Sequence, residues 1–286
     1  MIIHRNINLK NFNTLHIEYK ALIVFEVHNI QDVYILNYLF NYFNLDYLIL
    51  GNGSKVIFKN YFIEKPILLL NKNFNYYYLD NNSLLVSSGM LLQELIINLA
   101  KVNKGGFHKL YPIPASVGGA IYMNAGIKDL SISDYINYVI TINKEGKLKK
   151  YKCIDCNFTY RNSIFKENKE LILLACLKIE NIKKEIIIKD IKNELLYRKN
   201  IQGYNKYSCG SLFVNTKDYM SYQLINKLKL NNLDVNGISY SNKHSNILIN
   251  NGNGTNSDVI VFINTIKYEV KKNLNIELIE ELNILM

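Results

Sequence analysis

Residues 113–126 read IPASVGGAIYMNAG, and this stretch constrains the chain more than any other. Pro112 and Pro114 fix a tight entry. Ala115, Ser116, Gly118, Gly119 and Ala120 follow, and Asn124, Ala125 and Gly126 close the run. A segment so poor in side-chain bulk lets backbone N–H groups come close to another group. Amide donors gathered at a turn or a helix start make an anion site, for which a diphosphate is the usual ligand. A buried helix packed through small residues explains the same composition. The stretch alone does not choose between these two.

The flanking segments supply context. Residues 21–27 (ALIVFEV) form an apolar run that reads as a buried strand. Val33, Leu36, Leu39 and Phe40 recur at helical spacing within residues 29–44. Residues 47–50 then form a short strand that runs into Gly51, Asn52, Gly53 and Ser54. Strand, helix, strand and glycine turn make a βαβ unit with a candidate anion loop at a strand's carboxyl end. Further strands are expected at 66–70, 84–88 and 171–179, a helix at 91–102, and a hairpin joining 138–142 to 148–151. The polar Lys/Glu-rich stretch 180–185 reads as a domain boundary. Beyond it come helices at 186–200 and 218–228, and strands at 210–215 and 246–250. Val259, Phe262, Ile263, Ile266 and Val270 mark one face of a further helix, capped by Thr255 or Asn256. Residues 276–285 read as a terminal strand, in which Glu277 and Glu281 share a face opposite Glu280.

A length of 286 residues leaves room for two or three domains, and 49% hydrophobic content marks a packed protein. No apolar run approaches the roughly 20 residues that span a bilayer, and the N-terminal segment lacks a signal-peptide core. Four cysteines in a chain this long do not make a disulfide framework. A cytoplasmic location follows as the expectation. The net charge of +10 favours anionic partners. The wealth of Asn, Ile, Lys and Tyr, with 3 Pro and no Trp, assigns much of that charge to compositional drift. The lysines are spread along the chain, which argues against a nucleic-acid surface. Cys153 and Cys156 form a lone CxxC without nearby histidines, a poor zinc pattern.

Arg161, within Tyr160-Arg161-Asn162-Ser163, stands out in a chain that uses Lys almost everywhere. Its planar fork suits a carboxylate. Ser211, in Cys209-Gly210-Ser211, is a candidate hydroxyl proton donor or a strand-entry serine, and no nucleophile elbow surrounds it.

Six blocks in order resemble the UDP-N-acetylenolpyruvoylglucosamine reductase family, flavoenzymes of peptidoglycan precursor synthesis. They are Asn13-Thr14-Leu15 with Ala21, the loop 50–54, the stretch 113–126, DCNFTYRNSIFK at 155–166, Gln202 with SCGSLFVN at 208–215, and HSNILIN at 244–250. The resemblance covers nearly the whole chain. It implies an α+β protein with a two-lobed FAD-binding fold of the PCMH/vanillyl-alcohol-oxidase type and a C-terminal α+β substrate domain. The lobes would be residues 1–73 and 74–182, and the substrate domain 183–275, with the terminal strand 276–286 returning near the first lobe. Arg198 and Gln202 before the serine block resemble the family's shorter form, which lacks an extra tyrosine loop.

The resemblance further implies FAD as cofactor, NADPH as donor and UDP-N-acetylglucosamine enolpyruvate as substrate, in a monomeric enzyme with no membrane or nucleic-acid partner. The cofactor would be held by Gly51, Asn52, Gly53, Ser54, Pro114, Ala115, Ser116, Gly118, Gly119, Asn124, Ala125 and Gly126. Arg161, Ser211 and Glu281 would be catalytic, and Tyr160, Gln202, Asn215, His244 and Asn246 would bind substrate. Several residues depart from the family's pattern. Asn52 and Ala115 stand where glycine is usual, as does Pro112. Val214 and Thr216 replace Lys and Pro, and Glu280 takes a position often held by proline, which opens a one-residue slip at Glu281. Another FAD oxidoreductase, such as an oxidase on the same scaffold, is the alternative, although the two glycine-rich stretches contain no histidine to tether a flavin.

Overall fold

The computed structural model describes residues 1–203 and 207–285. Packing divides it into two units. One comprises Met1–Arg5, Ile23–Asn52 and Lys65–Leu195, and the other Asn6–Leu22, Gly53–Glu64 and Leu196–Met286.

The first unit opens with the expected parallel βαβ element. The later part of strand Lys20–Glu26 pairs in parallel with Ile67–Leu69, which pairs in parallel with Leu48–Leu50. The two strands flanking the helix are therefore not neighbours, because Ile67–Leu69 lies between them. The connecting helix, Ile30–Tyr42, starts where the Asn29 side chain accepts the Asp32 N–H. It buries Val33, Leu36, Asn37 and Phe40, the i, i+3, i+4, i+7 face. Leu39 falls off that face and is exposed. Asn37 takes its place and donates to the Asn143 carbonyl at 3.0 Å.

The second sheet of this unit is antiparallel throughout. Its order is Leu148–Lys152, Ile136–Ile142, Leu171–Lys178, Ser83–Ser87 and Tyr77–Asp80. Helix Leu92–Lys101 lays Leu92, Leu95, Ile96, Leu99 and Ala100 into the core of this region, with Leu84 and Val86 from the sheet. The N-terminal part of the long helix Lys184–Gln202 adds Ile187 and Ile191 to the same core.

The other unit holds a four-stranded antiparallel sheet, ordered Ser208–Ser211, His244–Asn250, Ile238–Ser241 and Asp234–Val235. Helix Asn256–Leu274 covers it, with Phe262 edge-on to Tyr240 at 5.0 Å. Thr255 is its cap, in a reciprocal box with Asp258.

The expected ten-residue terminal strand is shorter, because the chain changes partners there. Ile279 and Glu281 bond antiparallel to Val214 and Leu212. Asn283–Leu285 then turns to pair in parallel with Val56–Phe58, a strand absent from the sequence expectation. The switch breaks the period of two. Glu281 and Leu282 are both buried, and Glu277 is exposed, so Glu277 and Glu281 do not share a face.

Candidate active site

In the first unit, the two glycine-rich stretches are fastened to each other. Asn52 Nδ2 donates to the Pro114 carbonyl at 2.7 Å. A Cβ on Gly51 would lie 2.4 Å from Ser116 Oγ, so only glycine allows this approach. Ser116 caps helix Val117–Tyr122, its hydroxyl accepting the Gly119 N–H at 3.2 Å. Both readings of residues 113–126 therefore hold at once: a short helix packed through small residues begins in a capped turn. Gly118 belongs to the packing, since its N–H donates to the Ser88 carbonyl and a Cβ there would be 2.7 Å from Ser88 Cβ. Ala115 is buried and is not among the residues with positive φ, so its methyl group imposes no backbone strain.

The far end of this helix meets the arginine block. Ser163 Oγ donates to the Tyr122 carbonyl at 2.8 Å, and Asn124 Nδ2 donates to the Thr159 carbonyl at 2.9 Å. Thr159 and Asn162 bond to each other's backbone and close a tight turn over Tyr160 and Arg161. Arg161 has φ 55°, a left-handed conformation that costs a non-glycine residue about 1–2 kcal/mol. Its guanidinium donates to the Gly126 carbonyl at 2.8 Å and lies 5.0 Å from the exposed Tyr160 ring. The turn thus aims a bidentate donor at a fixed place. Such strain is a feature of sites where the surrounding contacts over-determine one residue.

In the other unit, Gly53 has φ 63°, and a Cβ there would lie 2.1 Å from the Phe12 carbonyl oxygen. Asn13 builds the wall beside it. Its amide donates to the Leu9 and Ile17 carbonyls at 2.9 Å, and its Oδ1 accepts the Ile17 N–H.

This unit also brings Ser211 and Glu281 together. Ser211 ends its strand opposite Ile247. The Glu281 N–H donates to the Leu212 carbonyl at 2.8 Å, so the two residues lie on directly paired segments. Lys55 joins them. Its ammonium donates to the Ser211 carbonyl at 2.6 Å and pairs with Glu281 Oε1 at 2.9 Å. The Glu281 side chain is 6% exposed, whereas Glu280 points away to Lys267 and is 22% exposed. The register therefore favours Glu281 over its neighbour as the inward carboxylate.

The remaining residues expected at the site have other partners. Both polar atoms of Asn246 are engaged by Phe213: Oδ1 accepts its N–H at 2.9 Å and Nδ2 donates to its carbonyl at 2.8 Å. Asn246 is 1% exposed on the strand paired with that of Ser211, and a direct substrate contact from its amide is not what this arrangement provides. Asn215 Oδ1 accepts the Ser221 N–H. The Gln202 carbonyl accepts from Ser241 Oγ. His244 Nδ1 accepts the Asn246 N–H at 3.2 Å. Burial holds its pKa below the usual value, against the opposing effect of a hydrogen bond to its own backbone. The CxxC thiols are free, and burial foremost, then the neighbouring Cys153 and Asp155, pushes Cys156 up to about 12. Lys55 carries no signal of its own in the sequence, because one lysine after a glycine turn blends into a lysine-rich chain.

The profile of the UDP-N-acetylenolpyruvoylglucosamine reductase C-terminal domain matches residues 202–285. The UDP-N-acetylenolpyruvoylglucosamine reductase of Aquifex aeolicus is 32% identical over 288 residues, spanning 100% of this chain and 96% of the relative. The chain belongs to the UDP-N-acetylenolpyruvoylglucosamine reductase family. The reductase of the same name from Francisella tularensis is 32% identical, covering 96% of this chain and 97% of its own. The crystal structure of the reductase from Thermus caldophilus superposes with a TM-score of 0.84 at 25% identity, over 100% of both chains. That likeness carries the family's α+β flavoenzyme architecture to this chain.

FAD is the cofactor of this family, and the residues in place suit it. At Gly119 a Cβ would meet only Ser116 Oγ, at 3.2 Å, so protein packing does not by itself demand glycine there. The space this leaves beside the Gly119 backbone suits a closely approaching phosphate. Beneath the same turn, Ser88 Oγ is buried with no partner among the described residues. Both observations fit a diphosphate held at the start of this helix.

Proposed function

We propose that Arg161, Ser211 and Glu281 are the catalytic groups with which this reductase converts UDP-N-acetylglucosamine enolpyruvate to UDP-N-acetylmuramate, with NADPH as donor, in peptidoglycan synthesis. The observation that carries this reading is the pairing of Ser211 with a buried Glu281 on adjacent segments, both contacted by one lysine. Gly51, Asn52, Gly53 and Ser54 with Pro114, Ala115, Ser116, Gly118, Gly119, Asn124, Ala125 and Gly126 would hold FAD. When bound, FAD supplies hydride transfer, accepting it from NADPH and giving it to the enolpyruvyl double bond.

The protein groups answer for the charge and the proton. Hydride addition to the terminal alkene carbon leaves negative charge on the next carbon and its carboxylate. The Arg161 guanidinium, held in its strained turn, grips that carboxylate and stabilises the charge without reorganising. Ser211 Oγ gives its proton to the carbanionic carbon, which is basic enough to take it from a hydroxyl. Glu281 stabilises the intermediate as an enol by lending a proton to its carboxylate oxygen, and takes that proton back when Ser211 protonates the carbon. Tyr160, Gln202, Asn215 and His244 would bind substrate, and Asn246 holds Phe213, two residues past Ser211. Residues 1–73 and 74–182 form the flavin lobes, and 183–275 the substrate domain, of a monomeric cytoplasmic enzyme without nucleic-acid or membrane partners. Among the described residues no helix is long and apolar enough to cross a membrane.

Stopped-flow absorbance of the FAD-loaded protein separates the two half-reactions. Ser211→Ala is expected to keep bleaching by NADPH near the wild-type rate. Re-oxidation by the enolpyruvyl substrate is expected to slow by about 10²–10⁴-fold, the scale of general acid catalysis. Equal loss in both half-reactions would remove Ser211 from the chemistry.

A further inference from the structure

We propose that Lys55 is a positioning residue that sets Glu281 and Ser211 in one geometry through a single ammonium. The proposal rests on the roles given above to those two residues. Lys55 follows directly on Ser54, at the end of the first glycine loop. Its main chain is fixed to the terminal segment, since its carbonyl accepts both the Asn283 N–H at 2.8 Å and Asn283 Nδ2 at 3.2 Å. From that anchor its side chain reaches Glu281 Oε1 at 2.9 Å and the Ser211 carbonyl at 2.6 Å. An ammonium has three donors and no acceptor, so one group can serve both oxygens.

Burial gives the arrangement its force. The Lys55 side chain is 22% exposed and the Glu281 side chain 6%. A carboxylate so enclosed is costly without a partner, and Lys55 is a cation that meets it. The other bond acts on the serine strand. Gly210, with φ 73°, takes the left-handed conformation that glycine favours, and the ammonium passes beside it at ordinary contact distance, 3.4 Å from where a Cβ would stand. By holding the Ser211 carbonyl, Lys55 fixes the peptide plane from which the Ser211 hydroxyl projects. It meets Ser211 only at the main chain, and so acts on the reaction through the other two residues.

The test uses the full-length FAD-loaded enzyme and single-turnover re-oxidation by the enolpyruvyl substrate. Lys55→Met keeps the length of the stem and removes the charge. The rate at saturating substrate is expected to fall by about 10²-fold, the scale of a roughly 1 Å misplacement, while KM stays within about threefold. Lys55→Arg is expected to restore the rate to within about tenfold of wild type, because a cation returns to the same two oxygens. If Lys55 acts through Glu281, Lys55→Met added to Glu281→Gln slows the enzyme by no more than about threefold beyond the slower single variant. Should Lys55→Met fail to fold, Lys55→Gln keeps a donor for the Ser211 carbonyl and is expected to show the same rate loss. Wild-type turnover in Lys55→Met or Lys55→Gln, alongside a slow Glu281→Gln, would overturn the role of Lys55 alone. Fully additive losses, or a defect confined to KM, would overturn it as well. Wild-type turnover in Glu281→Gln would instead overturn the assignment of Glu281, and with it the ground on which this proposal stands.

Discussion

Asn246→Ala tests whether the asparagine of the HSNILIN block acts on the substrate or on the protein. In the wild type, the side-chain amide closes a two-point clasp on Phe213, at 2.9 Å to its N–H and 2.8 Å to its carbonyl. Phe213 is itself fully buried, so no water replaces either bond. Truncation leaves one buried donor and one buried acceptor unpaired, at about 1–3 kcal/mol each. The central value is about 4 kcal/mol, and at roughly 2–4 °C per kcal/mol for a protein of this size the Tm falls by roughly 8–16 °C. Asn246→Asp keeps the acceptor for the Phe213 N–H but sets a carboxylate against the Phe213 carbonyl, and is expected to destabilise as well. Thermal unfolding followed by circular dichroism reads the stability, and steady-state kinetics below the transition reads KM. Phe213 lies two residues past Ser211, so kcat should fall with the loss of strand alignment while KM moves little. An unchanged Tm with a KM raised tenfold or more would refute the clasp and return Asn246 to the substrate.

Three further outcomes are expected. Arg161→Lys should lower the rate of substrate-driven re-oxidation by at least about 10²-fold, because a point charge replaces neither the fork nor its tie to the Gly126 carbonyl; near-normal single turnovers would show that Arg161 is not the carboxylate grip. Gly118→Ala forces a methyl group to within 2.7 Å of Ser88 Cβ and should cost about 1–3 kcal/mol by overpacking, read as a lower denaturation midpoint; full stability would mean that the helix shifts freely on its sheet. Burial lowers the His244 pKa, so the unfolded chain binds this proton more readily than the native one, and native stability should decline as the pH falls below about 6.5 toward the folded pKa. The same decline in His244→Gln, followed by Tm between pH 7.5 and 5, would assign it to other groups.

The elements that were legible in the sequence are those whose burial follows one period. Residues 171–179 are a continuous apolar run because they form an almost wholly buried strand, whereas the strand expected at 21–27 is present but buried only in part, with Leu22 exposed. The helix marked by Val259, Phe262, Ile263, Ile266 and Val270 presents one stripe to one sheet, and its Thr255 cap is equally local. What escaped was set by distant partners. The strands Val56–Phe58 and Phe62–Ile63 are short, and each is stabilised by pairing with a segment remote in sequence. The terminal segment defeats a period of two for the same reason, since its partner changes from residues 212–214 to Val56–Phe58 within a few residues. Register decided there by long-range hydrogen bonds leaves no local trace.

The site shows the same division. Arg161 was conspicuous because arginine is rare in this chain, and Ser116 because small residues surround it. Lys55 was not, yet its ammonium joins Ser211 to Glu281. Asn52 replaces a glycine expected from the family's pattern, and its side chain supplies a bond to Pro114 that glycine lacks. Ala115, the other substitution in this region, adds a methyl group at a residue whose φ is not positive and whose side chain is buried away from solvent. One change thus adds a tie between the two glycine-rich stretches, and the other leaves the turn unstrained. A test follows from the tie. Asn52→Gly restores the family's residue but removes the bond to the Pro114 carbonyl, which is worth about 0.5–1.5 kcal/mol net, and it adds glycine's backbone entropy to the unfolded chain. If the bond orders the turn that receives the diphosphate, Asn52→Gly should weaken FAD binding by about two- to tenfold by fluorescence titration, since about 1.4 kcal/mol is tenfold. Tighter binding in Asn52→Gly would show instead that the asparagine side chain obstructs the loop.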